Sequence, residues 1–177
     1  MLALLLGIAQ FPGLALAQPV GRVTGLDGKA TINRAGLPSP AWLSYGDAVL
    51  SGDRITLGDE SHMKVLFGDV AVLTARPFSE LAITEEPNGI LTTLNIGVVA
   101  VDVKEAGLKP GEFNEIRTPH AAVRMRGSRV EVGVGVTRPR IDCLSGEIFV
   151  AVDDKPFAQC TPGHGFIIRS ESGASTP

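Results

Sequence analysis

After its first seventeen residues the chain is a succession of short runs in which apolar and polar residues alternate, each closed by Gly, Pro, Asn or Asp. Such runs occupy Val20–Leu26, Lys29–Arg34, Arg54–Leu57, His62–Phe67, Val70–Ala75, Glu80–Thr84, Leu91–Ile96 and Val98–Val103. They continue through Asn114–Thr118, Ala122–Val134, Arg140–Leu144, Glu147–Val152 and Gly165–Arg169. A period of two belongs to strands, whose successive side chains point to opposite faces. Nowhere do apolar residues recur at i, i+3, i+4 and i+7 for long enough to build a helix. Many short strands with turn signals every eight to twelve residues predict an all-β domain. The expected architecture is a two-layered β-sandwich or a short, solenoid-like β-roll, with a jelly roll as the alternative.

The turns carry their own chemistry. Asp27-Gly28 and Gly68-Asp69 each separate two alternating runs, and both suit tight hairpins in which Gly takes positive φ. Pro87-Asn88-Gly89 and Lys109-Pro110-Gly111 are turn clusters of the same logic. Gly97 and Gly146 each open an alternating run directly after a leucine-containing strand, with weaker echoes at Gly21 and Gly163. Glycines so placed permit corners or bulges, which would let the chain wind strands into two facing sheets. Trp42, the only tryptophan, sits among prolines and reads as a plug over one end of the core rather than a ligand platform.

The opening segment, Met1 to Ala17, is an apolar run ending in Ala15-Leu16-Ala17, followed by Gln18. That is the pattern of a secretory signal peptide cleaved between Ala17 and Gln18, and it is too short and too broken by Pro12 and Gly13 to span a bilayer. No basic residue precedes Leu2, which leaves open a start further upstream or an unusual leader. The expectation is a periplasmic or secreted protein: residues 1–17 as signal, 18–170 as one domain and 171–177 as a disordered tail. Cys143 and Cys160 are the only cysteines, and outside the cytoplasm such a pair is most simply a disulfide. It would close a loop of about 17 residues, stabilising the fold by ~3 kcal/mol in the chain-entropy account.

A net charge of −3 argues against nucleic acid as a partner, which calls for a strongly basic surface. Positive charge nevertheless gathers in one segment, at Arg117, Arg124, Arg126, Arg129, Arg138 and Arg140. On a regular strand Arg124 and Arg126 share a face and Arg129 does not; a bulge at Gly127 would bring all three to one side. Arg124, Arg126 and Arg129 are therefore the candidate contact residues for an acidic cell-envelope protein or polymer. The plainer reading gives Arg126 structural bonds to nearby carbonyls or a carboxylate, and leaves Arg124 and Arg129 solvated.

Catalytic and metal chemistry find little purchase. His62, His120 and His164 are scattered, and Ser128 with His120 is the one conceivable nucleophile–base pair, without a nucleophile elbow or oxyanion loop. No His, Cys or Asp set has zinc spacing, and Asp53, Asp59 and Glu60 read as turn residues rather than calcium ligands. No cofactor is expected.

Several pieces, in order, resemble one known family. Gly46-Asp47, Gly52-Asp53-Arg54-Ile55 and Gly58 lead to Leu81-x-Ile83; Thr118-Pro119 leads through an apolar strand to Arg126-Gly127-Ser128. The end is Cys143-Leu144-Ser145-Gly146-Glu147-Ile148-Phe149-Val150, then Cys160-Thr161-Pro162-Gly163. Over residues 20–170 this succession is similar to the FecR-type extracytoplasmic domain, the periplasmic module of iron-dicitrate sensor and regulator proteins. The chain departs from that pattern at Gly68-Asp69-Val70 and at Arg124. The resemblance implies a non-enzymatic all-β binding or scaffold module of the cell envelope, placed in surface signalling or envelope assembly. No segment here matches the family's transmembrane helix, cytoplasmic anti-sigma segment or transporter-docking module, so the expectation is a free-standing exported copy. The alternative is an enzyme acting on envelope glycans or peptides.

Overall fold

The computed structural model describes residues 18–135, 140–152 and 157–167. The predicted signal peptide at 1–17, Arg138 and the predicted tail at 171–177 lie outside the described residues. Within them the chain is nearly all strand, with a single 3₁₀ turn at Glu105–Gly107. The strands are β1 (Pro19–Asp27), β2 (Ala30–Asn33), β3 (Ala41–Trp42), β4 (Ala48–Leu50), β5 (Asp53–Leu57), β6 (His62–Phe67) and β7 (Ala71–Ala75). They continue with β8 (Glu80–Glu86), β9 (Gly89–Val103), β10 (Asn114–Arg117), β11 (Ala121–Val134), β12 (Arg140–Val152), β13 (Ala158–Cys160) and β14 (Gly165–Ile167).

One hydrogen-bonded network joins all of these strands, and it does not close into a barrel. Its pairings resolve into two layers. The first runs β3-β2-β5-β8, then the front half of β9, β10, the front half of β11, the back half of β12, and β13. The second runs β4-β1-β6-β7, then the back halves of β9 and β11, the front half of β12, and β14. No helix is available to cover an apolar sheet face among the described residues, so the two layers must cover each other. Ile55, Leu81, Leu94, Met125 and Ile148 from the first layer do meet Val23, Val65, Leu73, Val101 and Ile141 from the second in one buried cluster.

Three long strands cross between the layers, and each does so at a glycine with positive φ: Gly97 in β9, Gly127 in β11 and Gly146 in β12. Around Gly127 the buried positions switch from Ala121, Val123 and Met125 to Ser128, Val130 and Val132, the signature of one inserted residue. The β11–β12 register slips at the same place. Gly146 faces this bulge so closely that a β-carbon there would lie 2.6 Å from Ser128 Cα. Sequence alternation predicts two strands on either side of Gly97 and of Gly146; the structure has one continuous bent strand in each case, because strands can switch sheets through bulges without breaking the hydrogen-bonded ladder.

Gly68-Asp69 makes the expected hairpin between β6 and β7. The expected hairpin at Asp27-Gly28 does not form. β1 and β2 leave that turn into different layers, Lys29 N–H donating to the Ser61 hydroxyl (2.8 Å) instead of to a paired strand. Trp42 is no core plug either: its residue is 70% exposed, because β3 is an edge and Leu43 takes the inward position instead.

Candidate functional site

Alternation along β10 aims Ile116 into the core and Glu115 and Arg117 outward. Register then decides the neighbours: Glu115 lies directly opposite Arg124 on β11, and Arg124 opposite Phe149 on β12. Glu115 is 5% exposed and receives two arginines. Arg117 donates to one carboxylate oxygen at 2.5 Å and Arg124 Nε to the other at 2.8 Å. The Arg124 guanidinium also lies over two rings, 4.8 Å from the centroid of Phe113 and 4.1 Å from that of Phe157. A carboxylate buried among strands is tolerated because both its oxygens are paired, and the flat guanidinium suits stacking between rings. Beside the cluster a groove of about 480 Å³ is lined by Pro110, Phe113, Arg124, Arg126, Glu147 and Phe149.

Arg126 ties down the segment that crosses from β9 to β10. It donates to the carbonyls of Lys109 (3.1 Å) and Glu112 (2.9 Å) and pairs with Glu105 at 3.7 Å, so the structural reading of this residue holds. Arg129 donates twice to Asp102 Oδ2, at 3.0 and 2.6 Å. The Gly127 bulge does turn all three arginines away from the core. It also divides them, since Arg124 and Arg126 stand over the first layer while Arg129 pairs with a carboxylate of the second. The reading of Arg124 and Arg129 as merely solvated is corrected: both are ion-paired, and Arg124 is stacked as well.

Two further arginines are ion-paired in the same way. Arg76 reaches Glu131 and Arg140 reaches Asp142, relieving the repulsion of two carboxylates that face each other across β11 and β12. The hydrogen bond to Asp142 holds the Arg140 guanidinium above its ordinary pKa.

Cys143 on β12 and Cys160 on β13 form the expected disulfide, both nearly fully buried. The bridge anchors edge strand β13, and Phe157, immediately before that strand, is the ring closest to Arg124. Gln18, the residue after the predicted cleavage point, is exposed just before β1; Ala17 is outside the described residues.

Ser128 faces inward, and its hydroxyl is buried with no hydrogen-bond partner, so it makes no bond to His120. His62, His120 and His164 sit at the start of β6, in the β10–β11 turn and in the β13–β14 turn. Among the described residues no three His, Cys, Asp or Glu side chains gather to hold a metal ion.

The Gly-Asp motifs have structural explanations. Asp53 is 1% exposed and accepts both Arg34 Nε (2.8 Å) and the Leu50 N–H (2.7 Å). Arg34 also donates to the Ala48 carbonyl on β4, tying the first layer to the second (2.8 Å). Asp47 accepts the Ser44 N–H, closing its own turn. The Arg34 guanidinium is held above its ordinary pKa, chiefly by the hydrogen bond to Asp53.

Sequence reasoning missed Glu115, Phe113 and Phe157. An outward Glu on a four-residue strand looks like any solvated position, and Phe157 is brought to Arg124 from 33 positions along the chain.

No family model and no curated protein matches the chain. Solved structures similar to it include two crystal structures described as "a putative anti-sigma factor" from Parabacteroides distasonis ATCC 8503. One, at 1.65 Å resolution, has a TM-score of 0.57 and 17% identity, with 68% of this chain and 56% of that chain covered. The other, at 2.50 Å, has a TM-score of 0.56 and 16% identity over the same shares. The chain thus spans just over half the length of these neighbours. At such identity the likeness is one of fold.

Proposed function

We propose that the protein is a non-enzymatic, extracytoplasmic binding and scaffold module of the FecR type, acting in envelope signalling through contact with a partner protein. The observation that carries this reading is the fold shared with the solved structures described as a putative anti-sigma factor. Two features support it. The buried Cys143–Cys160 bridge suits an oxidising compartment, where such disulfides persist. No described helix is long and apolar enough to cross a membrane. The first-layer face around Arg124 is the contact surface, because Glu115 and the two rings hold its guanidinium in place before any partner arrives.

Deleting the gene and restoring it tests the reading. Loss of the protein is expected to change a discrete set of transcripts. Wild type in the extracytoplasmic fraction should reverse that change, and an Arg124→Glu variant of normal abundance should not. Recovery of the protein from the cytoplasm alone, or hydrolysis of envelope glycans or peptides by the purified protein, would sink it.

A further inference from the structure

Trp42 is 70% exposed, although an indole is among the side chains that gain most from leaving water. Its neighbours follow from register. Trp42 lies opposite Thr31, Thr31 opposite Thr56, Thr56 opposite Glu80 and Glu80 opposite Ile96. Residues directly opposite share a face, and the intervening Ile32, Ile55, Leu81 and Leu94 point into the core. The outer face of the first layer therefore carries one row across five strands, about 19 Å long at the usual strand spacing, with a register irregularity at its last step, from Glu80 to Ile96. It starts with an indole, passes two hydroxyls and reaches a carboxylate that accepts the Asn95 side-chain amide at 3.0 Å. Arg54 flanks the row on the same outer face and forms no ion pair among the described residues.

We propose that this row is a glycan-binding site in which Trp42 stacks on the apolar C–H face of a pyranose ring. Thr31, Thr56 and Glu80 would then exchange hydrogen bonds with hydroxyls further along the saccharide. The chemistry of the row chooses this occupant. The two apolar members, Trp42 and the exposed Ile96, stand at opposite ends of the row, so a protein partner seeking a contiguous apolar patch would have to desolvate Thr31, Thr56 and Glu80 between them. A saccharide offers an apolar ring face and hydroxyl edges in the same molecule, which match an indole followed by polar side chains. From Trp42 to Glu80 the pairing is regular, and none of these members is a turn residue, so the stretch suits an extended chain. The site lies across the sheet from Arg124 and does not depend on a signalling role.

The test uses a property of the sequence. Trp42 is the only tryptophan, so emission excited beyond the absorption of the single tyrosine reports on this ring alone. The purified protein is titrated with cellohexaose and, separately, with chitohexaose. Stacking is expected to shift emission to the blue and to lower iodide quenching at least about twofold as the ring is covered. Response to one sugar but not the other would identify whether N-acetyl groups are required. Binding followed calorimetrically should weaken at least about tenfold in Trp42→Ala and several-fold in Thr56→Val. Both variants should keep the wild-type melting temperature, because these side chains lie outside the core. Unchanged emission and quenching with both sugars would overturn the proposal. So would a blue shift that appears with protein concentration alone and accompanies a dimer in sedimentation, since the face would then belong to a second copy of the chain.

Discussion

Among the described residues two carboxylates are nearly lost from solvent, Asp53 at the start of β5 and Glu115 on β10, and both are held by arginine. Asp53 caps a backbone N–H, and its one arginine is less than a third exposed and bridges both layers. Glu115 caps nothing; its arginines are 49% and 42% exposed, and they stand beside a groove. The same pair of residue types thus makes an internal knot in one place and a presented surface in the other. Burial of the arginine, rather than of the acid, separates the two. An arginine that spends its donors on backbone carbonyls belongs to the fold, whereas one stacked at the rim is available to a partner.

The contrast is open to direct attack. Replacing Asp53 by Ala strands the Arg34 guanidinium and the Leu50 N–H together, and should cost about 3–4 kcal/mol in denaturant unfolding. A loss under 1 kcal/mol would erase the distinction between knot and surface. Because the Arg34 pKa is raised, the stability it contributes is fully present at neutral pH and is lost only as pH climbs into strong alkali. Glu115→Ala releases two solvent-screened arginines and should cost only about 1–2 kcal/mol, with the larger change in near-ultraviolet signals from the phenylalanines around Arg124. Should its cost equal that of Asp53→Ala, the Glu115 cluster is a second structural knot. Arg129→Ala removes an ion pair exposed on both sides, and should shift stability by less than about 0.5 kcal/mol.

Much of the fold was legible because period-two alternation is imposed by the geometry of a strand and survives without knowledge of the partner strand. The same property explains where the sequence misled. Alternation tells which side of a strand faces inward, not which strand lies beside it, so Asp27-Gly28 looked like a hairpin and turned out to be a passage between layers. Inserted residues reverse the alternation, so the bulges at Gly97 and Gly146 looked like strand ends. At Gly127 the bulge was foreseen as a condition, and the three arginines do all face outward as that condition required. Their separation onto two layers was invisible, since it depends on β11 exchanging β10 for β9 as its neighbour. The motifs that carry the FecR resemblance act largely as turn caps, bulges and a layer-bridging ion pair. Such motifs track architecture, so they bear on the all-β fold and leave the partner unnamed.

By itself the sequence determined that the chain would be layered β-structure, that its glycines would make corners and that its two cysteines would pair, because backbone sterics and side-chain period act locally and two cysteines leave a single possible match. Only the tertiary structure decided that Glu115 would collect two arginines and that Phe157 would lie against Arg124. It also decided that Trp42 would head a row of polar residues that ends at Ile96, five strands across. Those arrangements arise from strand order and register, which bring together residues far apart in the chain and leave no local trace in it.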